Sequence, residues 1–223
     1  MARQNRSLAG GVVVIGLGRF GTSLALELMA QGDEVLAVDI EAKVVQSLSG
    51  QFTHVVQADS TDEEAMRQLS VHELNHAVIG VGSNLESSIL TASVLLSLGV
   101  RNVWAKAISH EHARILHQLG VHHVVRPEHD MGRRVAHLVR GTMLDYIEFE
   151  DGYAIAKSGA PECLHGLPLE KSRPRASYGV TVVGVKRSGT GFIHATSDTV
   201  VHRDDVLIVS GPRSKVEEFC TLV

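Results

Sequence analysis

Residues 11–22 read Gly-Val-Val-Val-Ile-Gly-Leu-Gly-Arg-Phe-Gly-Thr. Four β-branched residues, Val12 to Ile15, are followed by Gly16, Gly18 and Gly21 in G-x-G-x-x-G spacing, and a helical pattern runs on to Gln31. A glycine triplet between a strand and a helix is the dinucleotide-binding turn. Gly16 permits the tight turn, Gly18 lets backbone approach a phosphate, and Gly21 permits close packing of helix on strand. The helix then turns its free N–H groups and positive dipole end toward an anion. Without that context the triplet would be a glycine-rich turn with no ligand.

Outward from this turn, short β-branched runs alternate with helical patterns. The runs are Gly11–Ile15, Glu34–Asp39, His54–Gln57, His76–Val81, Asn102–Lys106 and Val121–Val125. Between them lie Thr22–Gln31, Glu41–Leu48, Asp62–Leu69, Asn84–Leu98 and His110–Leu119. This alternation predicts βαβ units and a parallel sheet. Gly32, Gly99 and Gly120 stand just after helices, where a left-handed residue ends the turn. A sixth helix, 127–144, starts at Pro127 with Glu128 and Asp130 at its positive end. Its stripe of Met131, Val135, Leu138 and Val139 predicts packing outside its own sheet, on a second domain or another subunit.

The texture changes after Leu144. Strands are predicted at Ala154–Lys157, Tyr178–Lys186 and Asp205–Val209, with turns at Arg187–Gly191 and Ser210–Pro212. A terminal helix, Ser214–Cys220, would be capped by Ser214 with Glu217 three residues on. The expected architecture is a flexible tail over 1–9, a Rossmann-like doubly wound α/β domain over 10–144, and a small α+β domain over 145–223.

Composition narrows the function. Lys plus Arg is 21, Asp plus Glu is 25, and aromatics make up 4%. A net charge of -4 and so few stacking rings argue against a nucleic-acid polymer as partner. Cys163 and Cys220 are too few for a disulfide framework and suit a reducing compartment. The first residues lack a signal-peptide core, and the apolar stretch Ile89–Val100 is too short to span a bilayer. The expectation is therefore a cytoplasmic protein. There is no GxSxG, HExxH or Walker motif and no evident acid–base pair, so no catalytic residue is expected. The 13 histidines are scattered. His122 and His123, as strand neighbours, would point to opposite faces, and His110, Arg114 and His117 share one solvated helix face.

Several side chains cluster around the phosphate turn. Asp39 ends the second strand 18 residues after Gly21, where a carboxylate accepts both hydroxyls of an adenosine ribose and repels a 2′-phosphate. The same residue suits the start of the next helix. Arg19 stands at the mouth of the turn, where a guanidinium could grip terminal phosphates or lie solvated. Asp59-Ser60-Thr61 follows the third strand and either faces an adenine edge or caps a helix through Ser60 or Thr61. Gly80-Val81-Gly82-Ser83-Asn84 follows the fourth strand and either leaves room for a nucleotide or is a turn capped by Asn84.

Taken in order, VIGLGRFG, EVLAVDI, the Asp59–Thr61 corner, WAKA (Trp104–Ala107) and RPEHDMG (Arg126–Gly132) closely resemble the KtrA/TrkA family. These are cytosolic RCK (regulator of potassium conductance) subunits of bacterial Ktr and Trk potassium uptake systems. The resemblance covers about residues 10–215, and Arg175–Arg187 is similar to the family's small C-terminal subdomain. It implies a homodimer formed through the crossover helix, assembled into an octameric gating ring under a membrane potassium-transporting subunit. It implies ATP or ADP at Gly16, Gly18, Arg19, Phe20, Gly21, Asp39, Ile40, Asp59, Ser60, Gly80, Val81, Gly82, Lys106 and Glu128. By the same resemblance Arg19 would reach a γ-phosphate, that of the neighbouring subunit's nucleotide in the family pattern; Glu128 would help hold Mg²⁺ or Na⁺ at the dimer interface, as suits a hard ion. Lys106 would lie near the nucleotide, unless it is a strand-end surface lysine. In some relatives the C-terminal subdomain takes cyclic di-AMP, for which Arg173, Arg175 and Tyr178 are the candidates here, although Pro174 and Glu170–Ser172 depart from that pattern. The competing reading is an NAD(H)-dependent oxidoreductase or an NAD(H) redox sensor. About 80 residues is little for a substrate domain, which weighs against the enzyme.

Overall fold

The computed structural model describes residues 11–82 and 84–223. The tail expected over 1–9 and Ser83 lie outside the described residues. The chain divides into two compact units, the first ending at Glu128 and the second running from His129 to Val223.

The first unit alternates strands and helices in the order β1 (Val12–Ile15), α1 (Arg19–Gln31), β2 (Val35–Asp39), α2 (Ala42–Leu48), β3 (His54–Gln57), α3 (Glu63–Gln68), β4 (His76–Ile79), α4 (Leu85–Ser97), β5 (Asn102–Lys106), α5 (His110–Leu119) and β6 (His123–Val125). The sheet order is β3-β2-β1-β4-β5-β6, all parallel. The order reverses between β1 and β4, and ligands of such sheets bind outside the carboxyl ends of the strands at this point. The run Val12–Ile15 is apolar throughout because both faces are covered. Val13 and Ile15 join a core with Leu36, Ile79, Leu95 and Leu116, while Val12 and Val14 join the opposite core with Leu17, Ala25 and Phe52. Gly32, Gly99 and Gly120 all have positive φ, as expected of helix-ending glycines.

Helix α1 starts at Arg19, three residues earlier than the apolar pattern indicated. Gly18 is its N-cap, the Thr22 N–H donates to the Gly18 carbonyl at 2.9 Å, and the Thr22 hydroxyl donates to the Leu17 carbonyl at 2.8 Å. Helix α3 is capped by Asp62, not by Ser60 or Thr61: its carboxylate accepts from Glu64 N at 2.9 Å and Ala65 N at 3.3 Å. Of the histidine pair, only His123 lies in a strand, where its ring stacks on Trp104 at 4.0 Å, while His122 Nδ1 accepts the Val103 N–H at 3.0 Å.

Helix α6 (Pro127–Val139) is shorter than the expected 127–144, and Gly141 follows with φ +75°. From His129 onward it belongs to the second unit rather than to the nucleotide-binding domain. The physical reason is on its side chains. Leu138 packs on the second unit's core, Arg134 pairs with Asp145 at 2.7 Å, and Arg133 pairs with Glu148.

The second unit contains β7 (Asp145–Glu148), β8 (Tyr153–Gly159), α7 (Leu169–Ser172), α8 (Pro174–Tyr178), β9 (Thr181–Lys186), β10 (Phe192–His194), β11 (Val206–Pro212) and α9 (Arg213–Cys220). Its sheet is antiparallel, ordered β10-β9-β11-β8-β7. Ser210–Pro212 is strand rather than turn, because it pairs with Tyr153–Ile155 across β8. Tyr178 ends a helix rather than starting a strand, because Gly179 turns left-handed at φ 72°. Helix α9 starts at Arg213 and has no side-chain cap, so Ser214 lies inside it. Its first turn is tied instead by Arg213 to Glu217 at 2.8 Å.

One buried carboxylate anchors the loop before β11. Asp205, 2% exposed, accepts from Arg187 Nε at 3.1 Å, Arg187 NH2 at 3.2 Å and the His202 N–H at 2.8 Å. Burial works to raise its pKa, and the Arg187 and His202 bonds outweigh it, so the carboxyl sits below its ordinary value. Its stabilisation is complete above the usual carboxylate range, near pH 4, and is lost as pH falls through the lower folded value. Asp205→Ala should destabilise the second unit by about 1–3 kcal/mol, because the His202 amide is left unpaired, and urea titration at neutral pH reads this.

Candidate functional site

The site is built where β1 and β4 end side by side. The Gly16 N–H donates to the Val38 carbonyl at 2.8 Å and the Gly80 N–H to the Ile15 carbonyl at 2.7 Å. Gly16 has φ +87°, and a Cβ there would lie 2.8 Å from Val81 Cγ2. A Cβ on Gly21 would lie 1.9 Å from the Gly16 carbonyl oxygen, and one on Gly80 would lie 2.8 Å from the same oxygen. These three glycines are dictated by backbone packing.

Gly18 differs. Its backbone is extended, with φ -67° and ψ -172°, which any residue adopts. A Cβ built there meets nothing within 4 Å. Nothing in the protein itself requires glycine at this position, and the open space lies at the start of α1. Helices α3, α4 and α5 have their N-termini capped by Asp62, Asn84 and Ser109. Helix α2 has no side-chain cap, but a carboxylate stands at its start: Asp39 Oδ1 accepts the N–H of the N-cap residue Glu41 at 2.9 Å. Helix α1 has no side-chain cap and no acidic residue in its first turn. Its N–H groups and dipole are therefore available to an anion. This cradle fits a phosphate.

Asp39 faces the same turn. Its Oδ2 accepts the Leu17 N–H at 2.6 Å. The carboxylate thus holds the loop and the start of α2 together, and it retains the lone pairs a ribose diol would need. Ile40 beside it is 58% exposed, and its carbonyl accepts from Gln57 Nε2 at 3.2 Å. Asp59 Oδ1 accepts from both the Thr61 hydroxyl, at 2.7 Å, and the Thr61 N–H, at 2.9 Å, and these bonds lower its pKa. Ser60 is brought elsewhere: its buried hydroxyl pairs with Thr91 at 2.7 Å, which ties the corner to α4.

On the other flank, Lys106 is no surface lysine, for its side chain is only 12% exposed. Its Nζ donates to Glu128 Oε1 at 2.5 Å and lies 5.7 Å from the centre of the Phe20 ring. The Lys106 bond is the leading cause that holds Glu128 below its usual value, and the Arg19 charge adds to it. Arg19 itself is exposed and, among the described residues, has no hydrogen-bond or ion-pair partner. A Cβ on Gly82 would meet Ile108 Cγ2 at 3.1 Å and Lys106 Nζ at 3.6 Å, so Val81 and Gly82 line the strip between β4 and Lys106. Among the described residues no three His, Cys, Asp or Glu side chains form a metal cluster, and Glu128 is occupied by Lys106.

Ile108 was missed in the sequence. Its signal is an apolar residue, 55% exposed, two places after a strand that delivers Lys106. The three C-terminal candidates are less united. Arg173 and Arg175 are exposed, while the Tyr178 ring is turned edge-on to Phe219 at 5.7 Å and lies beside Cys163, which raises its pKa.

Comparison with known proteins agrees with this architecture. Residues 12–127 match the TrkA-N domain model and residues 157–223 the TrkA-C domain model. The Ktr system potassium uptake protein C of Bacillus subtilis is 36% identical over 207 residues, 92% of this chain and 94% of that protein. The Ktr system potassium uptake protein A of Vibrio alginolyticus is 34% identical over 205 residues, 91% of this chain and 93% of that protein. The structure titled "GsuK channel bound to NAD" shares the fold with a TM-score of 0.68 at 18% identity, covering 96% of this chain and 39% of that one. With a TrkA-N domain built around this glycine turn and a TrkA-C domain behind it, the chain belongs to the KtrA/TrkA family of RCK subunits of potassium uptake systems.

Proposed function

We propose that this chain is the nucleotide-sensing subunit of a potassium uptake system, with ATP and ADP as ligands of the β1–α1 cleft and a membrane potassium-transporting subunit as partner. The observation that carries the reading is Gly18. Its missing side chain and the uncapped α1 together form a phosphate cradle that the fold does not otherwise require. Asp39 would hold the ribose and disfavour a 2′-phosphate. Asp59 would face the base. Val81 and Gly82 would leave room beside the phosphates.

ATP carries one phosphate more than ADP, and a ligand shifts an equilibrium only by its differential affinity for two states. Among the described residues Arg19 has no bonded partner, and its charge acts on Glu128, which is paired with Lys106. Arg19 and a Glu128-bound Mg²⁺ or Na⁺ would read the terminal phosphate, on the chain's own nucleotide or a second copy's. A homodimer along α6 fits its sequence, since Met131, Val135 and Val139 repeat at four-residue spacing and all are exposed. Such dimers would assemble as an octameric ring on the cytoplasmic side of the membrane partner. Catalysis has no part in this reading.

Isothermal titration of the full chain with ATP, ADP, NAD⁺ and NADH in the presence of Mg²⁺ tests it. ATP and ADP should bind preferentially; preference for NADH would turn the reading to a redox sensor. Gly18→Ala should leave the melting temperature unchanged and weaken ATP by about tenfold or more, since a methyl occupies the phosphate approach. Gly21→Ala should instead destabilise the first unit by about 3 kcal/mol or more through its collision with the Gly16 carbonyl.

Arg19→Ala should lower the preference for ATP over ADP by about five- to tenfold while leaving ADP affinity nearly unchanged, because the guanidinium acts on the terminal phosphate. An unaltered ATP-to-ADP ratio would remove Arg19 from the sensing role.

A further inference from the structure

We propose that His112 is a positioning residue of the nucleotide cleft, one that holds the Ile108 backbone, and through it the Lys106 wall, only while its imidazole is neutral. The proposal rests on the nucleotide reading above.

His112 lies on the inner face of α5 and is 1% exposed. Its Nδ1 accepts the Ile108 N–H at 3.4 Å. That bond assigns the hydrogen to Nε2, and Nε2 is buried without a partner. A leucine would fill the same volume without an orphaned donor in the core. What the imidazole adds is a lone pair for the Ile108 amide. The start of α5 does not need the ring, because Ser109 Oγ already accepts the His112 N–H at 3.1 Å.

Ile108 is the residue that closes over Gly82, with Cγ2 3.1 Å from the place of a Gly82 Cβ, where Lys106 Cε and Nζ also approach at 3.5 and 3.6 Å. From the buried ring the contacts therefore run to Ile108, to the Gly82 strip and to Lys106. Protonation would turn Nδ1 into a donor facing the Ile108 N–H, leaving two donors opposed and a second one, Nε2–H, unpartnered. Burial alone lowers the pKa of His112. The ionisable groups on the surrounding elements are Glu86 on α4, Lys106 on β5, His123 on β6, and His110, Glu111, Arg114 and His117 on α5. None is bonded to the ring, and the Lys106 ammonium is engaged by Glu128.

The sign follows from this burial. A histidine whose folded pKa lies below its ordinary value of about 6.5 contributes its full stability above that value and loses it as pH falls. The test titrates ATP into the full chain at about pH 7.5 and about pH 5.5, in wild type, His112→Asn and His112→Leu. Asparagine keeps an acceptor near the place of Nδ1 and does not titrate. Wild-type ATP affinity should fall about threefold or more beyond the fall seen in His112→Asn, since protonation of ATP itself is common to both. His112→Leu should bind ATP weakly at both pH values. The wild-type melting temperature should also drop more steeply than that of His112→Asn below about pH 6.5.

A proton–nitrogen correlation spectrum of the wild-type imidazoles supplies a readout that needs no variant. The Nε2–H tautomer at His112 is expected at neutral pH, and the Nδ1–H tautomer or a charged ring would overturn the proposal. Equal pH profiles in wild type and His112→Asn would overturn it while leaving the nucleotide reading intact. Failure of wild type to bind ATP or ADP at neutral pH would overturn that reading, and this proposal with it.

Discussion

The Gly16 carbonyl oxygen is the point on which the first unit closes. It sits where a Cβ of Gly21 would be 1.9 Å away and a Cβ of Gly80 2.8 Å away. Two strands and a helix can meet this closely only if both neighbours lack side chains. The contact sets the direction in which α1 leaves the sheet, and so where its N-terminal amides point. Gly16 itself is held by the Val38 carbonyl, and Gly80 by Ile15, so the turn is locked to β2 and β4 through main-chain bonds. Asp39 adds a side-chain bond from β2 to the Leu17 amide. The cleft is therefore rigid at its floor, whatever occupies it.

The opposite wall is made differently. Lys106 and Glu128 are long side chains joined as an ion pair, and the charge of Arg19 acts on the same carboxylate. A single ion pair between a mostly buried ammonium and a largely exposed carboxylate is weak evidence for stability, but it is easily rearranged. Phosphate oxygens compete for the ammonium on equal terms with a carboxylate, since both make charge-assisted bonds. In the proposed reading, a floor fixed by packing and a wall set by electrostatics would divide the work: one would hold a phosphate at the turn, and the other would respond to how many phosphates follow.

The parallel sheet, its helices and the glycine turn were legible because each leaves a local mark: a continuous apolar run, a helix-ending glycine, a fixed spacing. The role of Asp39 in organising the loop was not, because it depends on a bond to a residue 22 positions away. Ser60 looked like a cap or a base contact, and only the packing of α4 shows its hydroxyl spent on Thr91. In the second unit the sequence indicated strands near Tyr153 and Val206 but not β7 or β10. Those are short strands whose existence depends on neighbours, with β10 exposed along its length. Ser210–Pro212 carries turn composition and is strand because β8 pairs with it on one side. His112 shows the same limit inside the core: a lone histidine at a helical position is silent until its neighbours are known.

Helix α6 carries the same division of labour into the second unit. Its apolar stripe is exposed, while its charged residues are engaged. Arg133 and Arg213 converge on Glu148, Arg134 holds Asp145, and the His137 ring packs on Tyr146 at 4.1 Å. Burial, followed by the Glu148 and Glu217 charges, pushes the Tyr146 phenol up to about 12, so it remains a hydrogen-bond donor to Glu148 across the physiological range. The helix is thus seated on β7 and α9 by ion pairs and by the packing of the His137 ring. Its first turn, by contrast, carries Glu128, whose partner Lys106 lies at the nucleotide cleft. One helix thus carries both the carboxylate that pairs with Lys106 and the residues that pack within the second unit. Because α6 is one continuous helix, the Lys106–Glu128 pair at its first turn and the Arg134–Asp145 pair further along it are joined by main-chain hydrogen bonds rather than by side-chain relays.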